Sequence, residues 1–156
     1  TDVWMRLAAL ALLACCLAAC SSEADIRLAT PVVIEGDAIN APLLGLQGNA
    51  ARGQAVFTER ARGHCVLCHA AQELDTEFQG NVGPDLTLVG ARLSEGQIRL
   101  RIADAQRLWP ETVMPSYYRT EGLNQDGDAY RGEPALDAQQ IEDLVAYLAT
   151  LDGEQT

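Results

Sequence analysis

The apolar residues of this chain fall into one uninterrupted block and three helical stripes. The block, residues 7–17, carries no charge and follows Met5 and Arg6. It is too short to cross a bilayer as a helix, and with its positive flank it reads as a secretory signal over residues 1–19. Residues 1–4 precede the first methionine and are set aside. The first stripe predicts a helix over 49–61, with Asn49 as N-cap and Ala50, Gly53, Val56 and Phe57 on one face. A glycine at such a position is costly in a helix and calls for a packing reason. The second stripe opens on Ser94-Glu95-Gly96-Gln97, a capping-box pattern, and runs to about residue 109 with Ile98, Ile102 and Ala105 buried. The third opens on Asp137 with Gln140 in a second box, and Ile141, Leu144, Val145, Leu148 and Leu151 form its apolar face. Tyr147 flanks that face within reach of Phe57. Residues 20–47, broken by Pro31, Gly36, Pro42 and Gly45, predict a tether in which residues 30–35 pair at most briefly as a strand. The expected architecture is an all-α domain over 48–156.

Between the first two stripes lies Cys65-Val66-Leu67-Cys68-His69. A Cys-x-x-Cys-His run is the attachment signature of a c-type haem. Two thiols one helical turn apart can each add to a vinyl group on neighbouring edges of a porphyrin, and the next residue turns its imidazole to the iron. Three or four helices are then expected to pack around one covalently attached haem c. A zinc site would have to draw four ligands from His64, Cys65, Cys68 and His69 in one turn, which can hardly wrap a tetrahedron. A thioredoxin-type pair would need a preceding strand in a βαβ context.

Composition narrows the function. The chain has no lysine, 11 arginines and 22 acidic residues, a net charge of −11. That opposes binding to nucleic acid or to anionic lipid. It suits encounter with basic partners, and equally it suits plain solubility of an exported protein. Beyond the leader the cysteines are Cys20 and the motif pair, so no disulfide staples the fold.

A second chemical element is Thr112-Val113-Met114-Pro115. Met114 is the one methionine beyond the leader, 45 residues after His69, on a Pro-bounded loop. A lone methionine is usually core packing. Here an open sixth position on the iron favours Met114 as the second axial ligand, and His/Met ligation raises the haem potential and suits electron transfer. His64 is pinned beside the porphyrin edge and is expected at the surface. Arg92, Arg99, Arg101 and Arg107 read as a solvated face, with one of them free to meet a haem propionate. Residues 124–132 form a polar insertion; Asp126 and Asp128 lack the register and closing glutamate of a calcium loop, so a turn is expected.

Together these residues resemble class I cytochromes c and, more narrowly, the SoxX family, the monohaem subunits of SoxAX thiosulfate-oxidising complexes. The resemblance covers about residues 40 to 151. It is carried by Gly53, the haem motif, Gly83-Pro84-Asp85-Leu86, Ser94-Glu95-Gly96-Gln97-Ile98-Arg99, Glu142-Asp143-Leu144-Val145-Ala146-Tyr147-Leu148 and above all Met114-Pro115-Ser116-Tyr117-Tyr118-Arg119. It implies that Gly53 and Phe57 let the C-terminal helix cross closely. It also implies that the carbonyl of Pro84 accepts from Nδ1 of His69, although an ordinary Gly-Pro turn is the plainer alternative. And it implies a role: a periplasmic electron-transfer subunit of an L-cysteine S-thiosulfotransferase, with the sulfur chemistry on a SoxA-like cytochrome subunit. Its transient partners would be a SoxYZ-like carrier and a small acceptor cytochrome. No residue of this chain is expected to be catalytic. The competing readings are a free-standing mobile periplasmic cytochrome and, further off, a haem peroxidase or gas sensor with an open iron site.

Leu17-Ala18-Ala19-Cys20 followed by Ser21-Ser22 resembles a bacterial lipoprotein box. Its cysteine would become an acylated first residue and an outer-membrane anchor, since several acyl chains hold far better than one. Cleavage to a soluble protein is the alternative, and for Cys15 and Cys16 removal with the leader is the expectation. Feeding an exporting host a fatty-acid probe should label Cys20, whereas a mature N-terminus beyond residue 20 excludes the anchor.

Overall fold

The computed structural model describes residues 27–61, 63–72, 74–123 and 132–153. The described elements are five helices: α1 (Ala50–Thr58), α2 (Cys65–Cys68), α3 (Val89–Arg92), α4 (Glu95–Leu108) and α5 (Ala138–Ala149), with a 3-10 turn at Leu43–Gly45 before them. No strand occurs among the described residues, only isolated bridges between Leu28 and Arg119 and between Glu35 and Ala38. Residues 1–26, Cys20 among them, and 124–131 lie outside the described residues.

Each long helix starts where a side chain can satisfy amides that have no carbonyl a turn earlier. The Asn49 side chain accepts from the Arg52 amide. Ser94 with Gln97, and Asp137 with Gln140, form complete capping boxes. The first helix stops at Thr58, short of the expected residue 61. There the Thr58 hydroxyl donates back to the carbonyls of Gln54 and Ala55, and Glu59 is extended.

α5 is the beam on which the rest is laid. Its buried face includes Ile141, Leu144, Val145 and Leu148, as the stripe predicts. α1 crosses it at the closest approach a backbone allows. A Cβ on Gly53 would collide with the Asp143 carbonyl, and one on Gly48 with the Glu142 carbonyl. One turn on, the Phe57 and Tyr147 rings meet edge to face, 5.7 Å between centroids. α3 lies across the far end, where Gly90 donates to the Leu151 carbonyl.

Two neighbouring acids on α5 complete the assembly. Asp143 accepts from the Asn49 amide and from both ends of the Arg52 guanidinium, at 2.7 and 2.8 Å. Burial pushes its carboxyl up, but Arg52, the Asn49 amide and Gln139 outweigh that and hold it below the usual range. Glu142 is buried and takes Arg99 in a two-bond fork, at 2.7 and 2.8 Å, plus the Leu43 amide. The third Arg99 donor reaches the Ile39 carbonyl at 2.8 Å.

These contacts correct two expectations. Arg99 does not sit on a solvated face: it is 1% exposed, and each of its three nitrogens bonds within the protein. Residues 27–47 do not form a free tether either. Leu28, Val32, Ile39 and Leu43 belong to the core cluster, and Glu142 and Arg99 hold that segment by its backbone. The two facts have one cause, since a buried guanidinium must find acceptors and the incoming chain supplies one. Of the other arginines, Arg101 pairs with Asp37 and lies over the Trp109 ring, while Arg92 bonds the carbonyls of Leu88 and Asp85.

The Gly53 crossing leaves no space for a methyl group. Gly53→Ala should therefore lower stability by about 1–3 kcal/mol, the usual range for overpacking, despite the better helix propensity of alanine. The denaturant midpoint of the folded holoprotein measures it.

Candidate functional site

The motif turn α2 is only four residues long, with His69 just beyond it in extended conformation. So short a helix is held by what its carbonyls find. The carbonyl of His64 accepts from the Leu67 amide and that of Cys65 from His69. Val66 is reached by Gly80, Cys68 by Gly83 and Ala70 by Leu86. The loop 80–86 is thus laid parallel to the motif, amide by amide. Its glycines are required: a Cβ on Gly80 would collide with the Leu67 carbonyl, and one on Gly83 with the His69 ring. Ahead of the turn, His64 is exposed and left-handed at φ 56°, which turns the chain out of α1 into the motif. What precedes Cys65 is therefore a helix and a turn rather than the strand of a thioredoxin.

His69 is half-buried and its Nδ1 stands 2.8 Å from the Pro84 carbonyl oxygen. A carbonyl can only accept, so Nδ1 carries the proton and Nε2 keeps its lone pair. Gly83 lies flat against the same ring. The imidazole is thereby fixed in tautomer and plane with one nitrogen free to bind a metal. Cys65 and Cys68 are free thiols, and burial pushes the Cys65 thiol up to about 12, so it is neutral. They stand for the sulfurs that a porphyrin would take up as thioethers.

Met114 comes from a different part of the chain and is half-buried against the core. Its own amide is held by the Thr112 hydroxyl at 3.2 Å. The residues after it dock firmly. Tyr117 and Tyr118 donate their amides to the carbonyls of Ile102 and Ala103 on α4. The Tyr117 hydroxyl crosses to the Gly63 carbonyl, 2.7 Å away and two residues before Cys65. Burial, and then the Cys65 and Cys68 sulfurs beside it, push that phenol well above its ordinary range. Tyr118 bonds Thr30. Both tyrosines face the interior.

The structure therefore brings Cys65, Cys68, His69 and Pro84 into one unit and ties the Met114 loop to it through Tyr117. These groups fit the cofactor that the motif calls for: two free thiols a turn apart, an imidazole with Nε2 available, and a thioether on a separate loop. Sequence reasoning missed Tyr117 as the link, Asp104, which bonds Ser116 and Arg119 just after Met114, and the reasons for Gly80 and Gly83. Only the glycines left a signal, as chain breakers in 80–83.

The family model for cytochrome c matches residues 50–152. No curated protein matches the chain. Among solved structures, a chain of the crystal structure of SoxXA from P. pantotrophus is 38% identical. The match covers 80% of this chain and 97% of that one, with a TM-score of 0.73.

Gly83→Ala should push the His69 ring off the Pro84 carbonyl and lower the yield of covalently loaded protein. Pro84→Ala should spare the yield, because the acceptor is the backbone carbonyl. Haem stain on a denaturing gel, normalised to protein, compares the two variants.

Proposed function

Because the chain belongs to the cytochrome c family, as a SoxX-like electron-transfer protein with the all-α class I fold and a covalently attached haem c, we propose that it is the electron-transfer subunit of a SoxAX-type thiosulfate-oxidising complex. When bound, the haem supplies a one-electron iron couple. Cys65 and Cys68 would hold its edge as thioethers. His69 would bind the iron through Nε2, with the Pro84 carbonyl holding the Nδ1 proton, which orients the ring and raises its basicity. Met114 would supply the second protein ligand, a soft thioether that favours the reduced metal and raises the potential.

The observation that carries this reading is the Tyr117 hydroxyl on the Gly63 carbonyl. It makes the Met-Pro-Ser-Tyr-Tyr-Arg segment, the part of the sequence most like the SoxX family, a structural piece of the haem motif. Beyond Cys20 and the motif pair the exported chain has no thiol, so the sulfur step belongs to a SoxA-like partner. Electrons released there, as thiosulfate is coupled to a cysteine of a SoxYZ-like carrier, leave through this subunit to a small acceptor cytochrome. The enzyme would then be an L-cysteine S-thiosulfotransferase and its compartment the periplasm. No described helix is long and apolar enough to cross a membrane, and a Cys20 lipid anchor stays part of the proposal. The acidic surface suits docking to basic partners.

Two measurements test this. Met114→Ala should abolish the weak thioether-to-iron band near the red end of the oxidised spectrum; an unchanged band removes Met114 as ligand. The parent should co-purify with a SoxA-like chain and become reduced on addition of thiosulfate and carrier. A complex whose haem in this chain stays oxidised overturns the assigned role.

A further inference from the structure

The carboxylate of Asp104, in the middle of α4, is wholly buried and has no part in the haem motif. Its backbone leaves the helical conformation, at φ −153° and ψ 70°. A sharp break inside a helix needs a cause, and the usual one is a group inserted into the ladder of backbone bonds. Here the inserted group is the chain that follows Met114. The carbonyls of Ile102 and Ala103, just ahead of the break, accept from the amides of Tyr117 and Tyr118 at 3.2 and 3.1 Å. Beneath that joint, one oxygen of Asp104 accepts from the Ser116 hydroxyl and from the Arg119 guanidinium, each at 2.7 Å. A single carboxylate oxygen thus grips the residues two and five places after Met114.

Among the described residues nothing comparable holds the loop on its other side. Val113 is 81% exposed, and Thr112 bonds among the described residues only to near neighbours in sequence, Trp109 and Met114. The place of the Met114 sulfur is therefore set from the C-terminal side. The grip is also dry and charged. Arg119 is 8% exposed in its side chain, its Nε has no hydrogen-bond partner among the described residues, and its Nη1 reaches Gln106 at 3.4 Å. The second Asp104 oxygen also lacks a hydrogen bond there, and the Arg27 guanidinium stands 4.0 Å from it. A buried ion pair with so few other partners costs much to break from one side, since the remaining charge is stranded. For stability alone an apolar contact would serve as well, so the pair calls for a reason beyond stability.

We propose that Asp104 is the positioning residue for Met114: the break it makes in α4, with its bonds to Ser116 and Arg119, holds the thioether at the iron against other ligands. This rests on Met114 being the axial ligand. Loosening the grip frees Met114 to swing away while haem, thioether bonds and His69 stay in place. The sixth position then opens to whatever competes for it.

The experiment uses the mature holoprotein and added imidazole as the competing ligand. Asp104→Asn should weaken the thioether-to-iron band and tighten imidazole binding by about tenfold or more, as loss of a charge-assisted buried bond implies. Its potential should fall as the strong-field nitrogen replaces sulfur. Ser116→Ala leaves the Asp104–Arg119 pair intact and should move the same readouts in the same direction by less, which keeps the test open if the first variant does not fold. A fall in melting temperature with band, imidazole affinity and potential all unchanged makes Asp104 merely structural and overturns the proposal. If instead the parent keeps its band when Met114 is replaced, the axial assignment itself fails, and this inference fails with it.

Discussion

A helical turn of four residues cannot support itself, and the one that carries Cys65, Cys68 and His69 shows how a fold does it from outside. Each carbonyl along that turn must find a donor, because water is displaced where a flat apolar cofactor lies against it. Gly80, Gly83 and Leu86 supply backbone amides, and Tyr117 supplies a hydroxyl at the entrance. The same stretch of loop that satisfies these carbonyls contains Pro84, whose own carbonyl faces the imidazole. Support and tuning of the histidine are thus one structure. The loop cannot relax without the ring losing its fixed tautomer.

α5 serves the rest of the molecule as the turn's neighbours serve the turn. Its backbone is approached by Gly48, Gly53 and Gly90, and its two acids hold Leu43, Asn49, Arg52 and Arg99. Gly53 is the point where helix propensity was given up for proximity. The edge-to-face contact of Phe57 and Tyr147 one turn away is possible only because the backbones meet there. α4 reaches α5 through Arg99, and so the Met114 loop, standing on α4, is referred to the same beam.

What could be read from the sequence is what is local. Ser94 with Gln97, and Asp137 with Gln140, sit three residues apart, and their capping boxes form where that spacing puts them. The stripe from Ile141 to Leu151 is buried because periodicity alone sets a face. The motif carries its chemistry in five consecutive residues. Pro84 could be singled out only through a family resemblance. Arg99 reads as one more surface arginine until Glu142, 43 residues on, turns out to lie beside it. Residues 27–47, rich in breakers and poor in periodicity, look unstructured because their partners are remote carbonyls and carboxylates. The break at Asp104 is invisible to the pattern, since a polar residue on a predicted helix normally faces water. Nothing local in the sequence says which way Tyr117 and Tyr118 face, and only their bonds to distant Gly63 and Thr30 settle it.

The docking of residues 27–47 has a geometric consequence. Had all of 20–47 been a free leash, an acylated Cys20 would have let the domain roam up to about 95 Å from the membrane, at the span of an extended chain. With Leu28 already in the core, only about seven residues remain between that anchor and the folded body, a reach of at most about 25 Å. If Cys20 carries the proposed anchor, a domain so tethered would skim the lipid surface rather than sweep the compartment, and whatever trades electrons with it would have to come to the membrane.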